Sequence, residues 1–367
     1  MSVLPSDIVV YGSANMPETD GPTVGGAIDF TRRVAFYDIA PAGNLDAISS
    51  SGADTATKIV YSGRDATGAI QSQTLTLNGQ SWVTGSQSLE RLLYAALSGA
   101  SANGPLANPG GPQAVGDVAL AAHSCVLPSG ALTTDTTVRT AQAGSANHSG
   151  TIPALFKLQS GDGAAVAAGQ IIWTKSGTGA NQLRQIVATG GYGIDVVAVS
   201  RDWGTVPDNT TTYKILQGML FEISPNPVTV VIRMFATSAA DMPAGTQRAY
   251  YEKVFVVNNN SATALTGAQI EVASETPGIP SGALDLALTT ALNDTGTVAN
   301  RQTAPSSGVG SFATQPAFIS VPGPGNLPSG AAPNAAGAQG VWLRLTLPAG
   351  AAAYKGSADL RTQGMTT

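Results

Sequence analysis

The chain has 367 residues, 18 of them Lys or Arg and 23 Asp or Glu, for a net charge of −5. Charged residues are 11% of the total, against about 25% in ordinary soluble domains, while Gly (43) and Pro (22) are abundant. No basic run longer than Arg32-Arg33 occurs, which argues against direct nucleic-acid binding, and the one cysteine, Cys125, excludes an intrachain disulfide.

Short β-branched and apolar runs, punctuated by Gly, Pro, Asn and Asp, predict a mainly β chain. Ile8-Val9-Val10-Tyr11 reads as a first short strand, residues 16–26 as a loop, and residues 27–39 as a strand pair or one long strand. Residues 58–63 and 71–77 flank Arg64-Asp65-Ala66-Thr67-Gly68, a hairpin connection with a glycine for the positive-φ position. Asn78-Gly79 turns the chain again, into Ser81-Trp82-Val83. Residues 87–97 are the one helix candidate. Leu89, Leu92, Leu93 and Ala96 recur at i, i+3, i+4 and i+7, and Gly99 stands where such a helix would end. An irregular strand is the alternative there.

Residues 101–116, SANGPLANPGGPQAVG, read as a linker. Residues 117–127 and 138–158 supply further strands. Residues 170–216 then alternate strand-like runs with Ser-Gly-Thr-Gly, Gly-Gly-Tyr-Gly and Pro-Asp-Asn turns, the pattern of an antiparallel hairpin unit. Residues 228–235 form a strong strand pattern, followed by residues 253–258 and 269–273. The Gly-, Pro- and Ala-rich residues 304–340 predict an arm ordered only by contact with something else. In residues 341–347 apolar residues alternate strictly with Trp342, Arg344 and Thr346, so Trp342 and Arg344 share a side and are expected to stack.

Short strands at this spacing predict several antiparallel β-sandwich modules, Ig-like or related, with one short helix. The expected division is residues 1–40 plus 218–367 as an outer β domain made by both chain ends, 41–100 as a sandwich-like insert, 101–116 as a linker, and 117–217 as a hairpin-rich module.

Two sets of residues carry a resemblance. The first is Ser176 to Gly179, Arg184, Ile186, Arg201, Trp203, Pro207, Asp208, Thr212, Tyr213 and Ile215. It resembles a hairpin module recurring in structural proteins of tailed-bacteriophage virions. The second is Tyr11-Gly12-Ser13, Gly25-Gly26-Ala27-Ile28, Tyr251-Glu252-Lys253-Val254-Phe255-Val256-Val257-Asn258, Ala304-Pro305 and Gly340-Val341-Trp342-Leu343-Arg344. It is similar to a group of phage virion proteins in which these pieces lie closer together. The resemblance implies a structural role in a virion, copies of the chain and other virion proteins as partners, and no enzymatic activity. It leaves the tail or neck as the first expectation for location and the capsid exterior, as decoration, as the second.

The search for chemistry agrees with that expectation. His123 and His148 lie in no metal-ligand spacing, and Cys125 in its apolar setting reads as a small strand filler. Neither Gly-x-Ser-x-Gly nor a P-loop is present, and Gly177-Thr178-Gly179 and Gly191-Tyr192-Gly193 read as turns. Glu222, Glu252, Glu271 and Asp285 are the candidates for a glycosidase pair, although their spacing does not distinguish a pair from solvated edge charges. Trp82, Trp173, Trp203, Trp342, Tyr192 and Tyr213 could line a sugar-binding face, with core packing the favoured reading. Thus no catalytic, metal or cofactor-binding residue is assigned and no cofactor is expected. A host-surface carbohydrate-binding module is the third functional class. Residues 1–7 lack a basic segment leading into an apolar core, and no long apolar run follows. Synthesis in the host bacterial cytoplasm is therefore expected, without membrane insertion.

Overall fold

The computed structural model describes residues 3, 7–17, 20–34, 38–97, 114–127, 130–131, 139–150, 152–223, 228–235, 245–260, 262–275, 283–323, 325–330, 337–350 and 358–366. These residues form antiparallel sheets; none of them is α-helical, and a 3-10 turn lies at Asp162–Ala165. The chain divides into two compact units. One comprises Met1–Phe36, Asn103–Ala107 and Ile232–Thr367, and the other Tyr37–Ala102 and Asn108–Val231.

In the first unit the strands run in the order Ala313–Thr314, Leu284–Leu292, Gln339–Leu347, Arg248–Asn258, Ile8–Asn15 and Val24–Val34. Thr297–Val298 pairs with the start of the last. A second sheet orders Ile319–Ser320, Leu265–Glu275 and Ala358–Thr366. Val254, Val256, Leu286, Val341 and Leu345 share one core with Ala268, Ile270 and Val272 of that second sheet. The opposite face of the first sheet is also covered: Tyr251, Phe255, Val257 and Trp342 are buried there. A strand buried on both faces needs no polar alternation, and between its ends, Arg248 and Asn258, the strand is accordingly apolar except at Glu252 and Lys253, whose buried charges have partners.

In the second unit the main sheet orders Leu155–Lys157, Val196–Val199, Leu183–Thr189, Ile171–Ser176, Thr212–Phe221, Val118–Leu127, Leu45–Ser49 and Val83–Thr84. Cys125 lies on the Val118–Leu127 strand. One core gathers Phe156, Trp203, Tyr213, Ile172 and Ile186, and another Ile48, Ala121, Trp173, Leu183 and Leu220. The strands Ile70–Thr76, Lys58–Arg64 and Leu89–Leu97 lie side by side, with Asp38–Gly43 on the last.

Four expectations need correction. The helix candidate is the strand Leu89–Leu97, paired with Lys58–Arg64 from Ile59↔Leu97 to Arg64↔Arg91. It is buried from Leu92 to Leu97, so both faces had to be apolar, and the helical spacing of its leucines is a by-product of that. Residues 41–100 and 117–217 are not separate modules, because Leu45–Ser49 pairs along Val118–Leu127 from Leu45↔Ala122 to Ser49↔Val118. The described part of residues 304–340 is no arm waiting for a neighbour. Leu327 and Leu265 exchange backbone hydrogen bonds, Gly310 N donates to Leu288 O, and Val321 N donates to Ala268 O. Finally, Arg344 stacks on Phe312, with 5.0 Å from Cζ to the ring centroid, while Trp342 faces Lys253 instead. Most of the expected linker lies outside the described residues; its end is held where Val115 N and Gly116 N donate to the Asp54 carboxylate.

Candidate functional site

Lys253 sits in the middle of Arg248–Asn258 and is fully buried. A buried ammonium must find acceptors or lose its charge. Lys253 Nζ donates to Gly26 O at 3.0 Å, Asp294 O at 2.9 Å and Gly296 O at 3.2 Å, and it is ion-paired with the Asp294 carboxylate. The rings of Phe255 and Trp342 lie 4.9 and 5.7 Å from the same nitrogen. Burial pulls the Lys253 ammonium below its usual pKa, and the hydrogen bond and charge of Asp294 work against that.

Lys253 is directly opposite Trp342 in the strand register, and Phe255 is opposite Gly340. A side chain at Gly340 would meet Thr289 Cγ2 at 2.7 Å and Lys253 Cε at 3.3 Å. Gly25 has φ +91°, and a Cβ there would meet Gly296 O at 2.8 Å and the Trp342 ring at 2.9 Å. Gly25-Gly26, the Tyr-x-Lys-x-Phe strand and Gly340-Val341-Trp342 therefore close on one ammonium. Asn258, at the end of the same strand and fully buried, donates to Thr263 O and Leu327 O.

The residues of the hairpin module meet in the second unit. Arg184 lies over Trp203 at 5.2 Å and donates to Asp202 O, while Trp203 Nε1 donates to Leu155 O. Arg184 and Arg201 both pair with the buried Asp117 carboxylate, whose other oxygen accepts from Ile223 N. Burial pushes Arg184 down to about 10 and lowers Arg201, and the nearby charge of Glu222 opposes both shifts. The turn residues interlock as well: Thr178 N donates to Thr210 Oγ1, and Asp208 Oδ1 accepts from Thr210.

The four candidate carboxylates are neither solvated edge charges nor a convergent pair. All are buried. Glu252 pairs with Arg301 and accepts from Phe235 N, Glu271 pairs with Arg361, Asp285 pairs with Arg344, and Glu222 lies beside the Arg184 and Arg201 charges. His123 Nδ1 is 2.8 Å from the fully buried Asp46 carboxylate, whose pKa burial raises while His123 works against it. His148 is exposed on a loop, and its N–H donates to Asp202. Among the described residues no group of three His, Cys, Asp or Glu could hold a metal ion, and no helix is long and apolar enough to cross a membrane.

The aromatic candidates are core residues in the main. Trp173, Trp203, Trp342 and Tyr213 are buried, and Trp82 packs edge-on against Trp173 at 5.4 Å. Tyr192 is partly buried in the turn near Asp195. That carboxylate, which shares an open groove with Gly161, Gly163 and Ile194, is held below its usual pKa by the N–H groups of Gly161 and Gly163. Sequence reasoning missed Asp117 and Asp294; their partners lie 67 and 41 residues away in the chain, and no local pattern marks them.

No family model, curated protein or solved structure matches this chain.

Proposed function

We propose that the chain is a non-enzymatic structural protein of a tailed-bacteriophage virion, used in multiple copies in the tail or neck. One observation carries the reading. Gly26, Phe255, Gly340 and Trp342, which belong to three separate pieces of the second set of motif residues, surround one buried lysine, Lys253. Residues that form one physical nucleus have a reason to recur together, which a set of chance matches lacks. The buried carboxylates support the same reading, since each is engaged by arginine charge rather than turned toward a shared cleft. The partners on this reading are copies of the chain and other virion proteins.

Mass spectrometry of purified particles from a lysate containing this chain, with antibody labelling in electron micrographs, tests the proposal. The expected result is many copies per particle and label on the tail or neck. Label on the capsid surface would move the protein to the decoration role, and its absence from particles would end the virion reading.

A further inference from the structure

Of the strands that end the described sheets, Ala313–Thr314, Leu155–Lys157, Val83–Thr84 and Ile319–Ser320 are two or three residues long. Short edges are one way a protein keeps its sheets from pairing with other chains. Ala358–Thr366 is longer, and it carries Asp359 and Arg361, charges of the kind that guard an edge. Ile70–Thr76 has neither protection. It spans seven residues, IQSQTLT, with no charge, no proline and no bulge in its ladder to Lys58–Arg64.

The phase of that ladder is fixed. Leu77 N donates to Thr57 O and Asp65 N donates to Ala69 O, in line with the register Lys58↔Thr76 to Arg64↔Ile70. Gln71, Gln73 and Leu75 therefore carry the hydrogen bonds to Lys58–Arg64, since bonded and non-bonded pairs alternate along an antiparallel ladder. The N–H and C=O groups of Ile70, Ser72, Thr74 and Thr76 point away from the sheet, and no described residue bonds them. The side chains of the same residues lie on the exposed face, with Ile70 58% exposed. On the other face the polar side chains are already engaged: Gln73 accepts from the Tyr61 hydroxyl, Ser86 N and Gln87 N, and Gln71 donates to Asp65.

We propose that Ile70–Thr76 pairs antiparallel with the same strand of a second copy, about a two-fold axis through Gln73. Ile70 then stands opposite the copy's Thr76, and Ser72 opposite its Thr74. Each outward backbone group meets an outward group, so the ladder continues from one molecule into the other. The axis is perpendicular to the sheet, so the exposed face continues as exposed face, while Gln71 meets Leu75 and Gln73 meets Gln73 on the other. The neighbouring registers that keep the phase, with Ser72 opposite Ser72 or Thr74 opposite Thr74, leave Thr76 or Ile70 beyond the end of the partner strand. What selects a copy as the occupant is that this strand is its own complement: it is uncharged throughout, and the two-fold pairing leaves no outward group unmet. Such an interface is isologous and closes as a dimer. It deepens the multi-copy part of the proposed function, and its place in a particle rests on that reading. The pairing itself is tested on the recombinant full-length chain, so its failure would leave the virion reading standing, and absence of the chain from particles would leave the pairing standing.

Sedimentation of the recombinant chain should show a concentration-dependent equilibrium between monomer and dimer. Thr74→Pro removes an outward N–H that takes no part in the internal ladder, so it should leave cooperative unfolding in place and weaken dimerisation several-fold. Ser72→Lys puts two ammonium groups at diagonal positions across the axis and should also weaken it several-fold; adding Thr74→Glu, which stands opposite the copy's residue 72, should restore it. In a Cys125→Ser background, Ser72→Cys and Thr74→Cys chains are mixed with the short thiol cross-linker dibromobimane, and each is also treated alone. The mixture should give covalent dimer several-fold faster, because directly opposite side chains lie about 5 Å apart and diagonal ones about 7–8 Å. Faster cross-linking of either variant by itself would overturn the register. A chain that stays monomeric at every concentration, or a folded Thr74→Pro variant that dimerises as well as the unmodified chain, would overturn the edge pairing.

Discussion

The ammonium of Lys253 donates to the backbone carbonyl of Gly26 at 3.0 Å, across 227 residues of chain. That bond ties the second strand of the chain to the central strand of the same sheet, and the three carbonyls and one carboxylate around Nζ leave the charge fully engaged. Apolar burial holds the two faces of this sheet, and the lysine sets which loop covers the second face.

Lys253→Met should therefore cost about 3–5 kcal/mol in denaturant unfolding, the range for breaking a buried pair from one side. It removes the donor from the buried Gly26 carbonyl and the part-buried carbonyls of Asp294 and Gly296, and leaves Asp294 without its cation. Lys253→Arg is not expected to rescue, because a planar guanidinium does not match four acceptors clustered around one nitrogen. Wild-type stability in Lys253→Met would show that the ammonium is incidental to the fold.

Gly25→Ala tests the covering of Trp342. The substitution places a methyl 2.9 Å from the indole ring and 2.8 Å from Gly296 O, at a backbone φ of +91°. Strain of this kind costs about 1–3 kcal/mol before any clash. The expected result is a lowered unfolding midpoint together with a changed Trp fluorescence spectrum.

In the second unit, Asp117→Ala should destabilise by about 3–5 kcal/mol, since it strips Arg184 and Arg201 of a shared buried carboxylate and Ile223 N of its acceptor. Asp117→Asn keeps the shape and the acceptor for Ile223, and should lose less. Chemical denaturation followed by circular dichroism separates the two variants.

Asp65 carries a pH signature. Hydrogen bonds from the Thr67 and Gln71 side chains, then from the backbone of Thr67 and Ala69, hold its carboxyl down to about 2. Because the folded pKa lies below the unfolded one, the contribution is fully present above the ordinary value of 3.8 and is lost as pH falls toward about 2. The difference in melting temperature between wild type and Asp65→Asn should accordingly shrink through that window. A constant difference down to pH 2 would show that the loop does not depend on the charge.

The hairpin around Asp65 was readable because everything it needs is local. Arg64↔Ile70 closes the register as the Asp-x-Thr-Gly loop suggests, and Gly68 takes φ +85°. The strand at residues 89–97 was not readable in the same way. A run that is apolar on both faces satisfies a helical and an extended template equally, and the neighbours that decide between them, Lys58–Arg64 and Asp38–Gly43, lie tens of residues away.

The β class of this chain and its turns were determined by the sequence itself, since they depend on residue type and short spacing. Tertiary structure alone decided that the candidate carboxylates meet arginine charge and that Gly25 lies under Trp342. Those outcomes depend on which distant strand supplies the opposite partner. Burial makes a lone charge or an unmatched face costly, and only the fold brings its partner within reach.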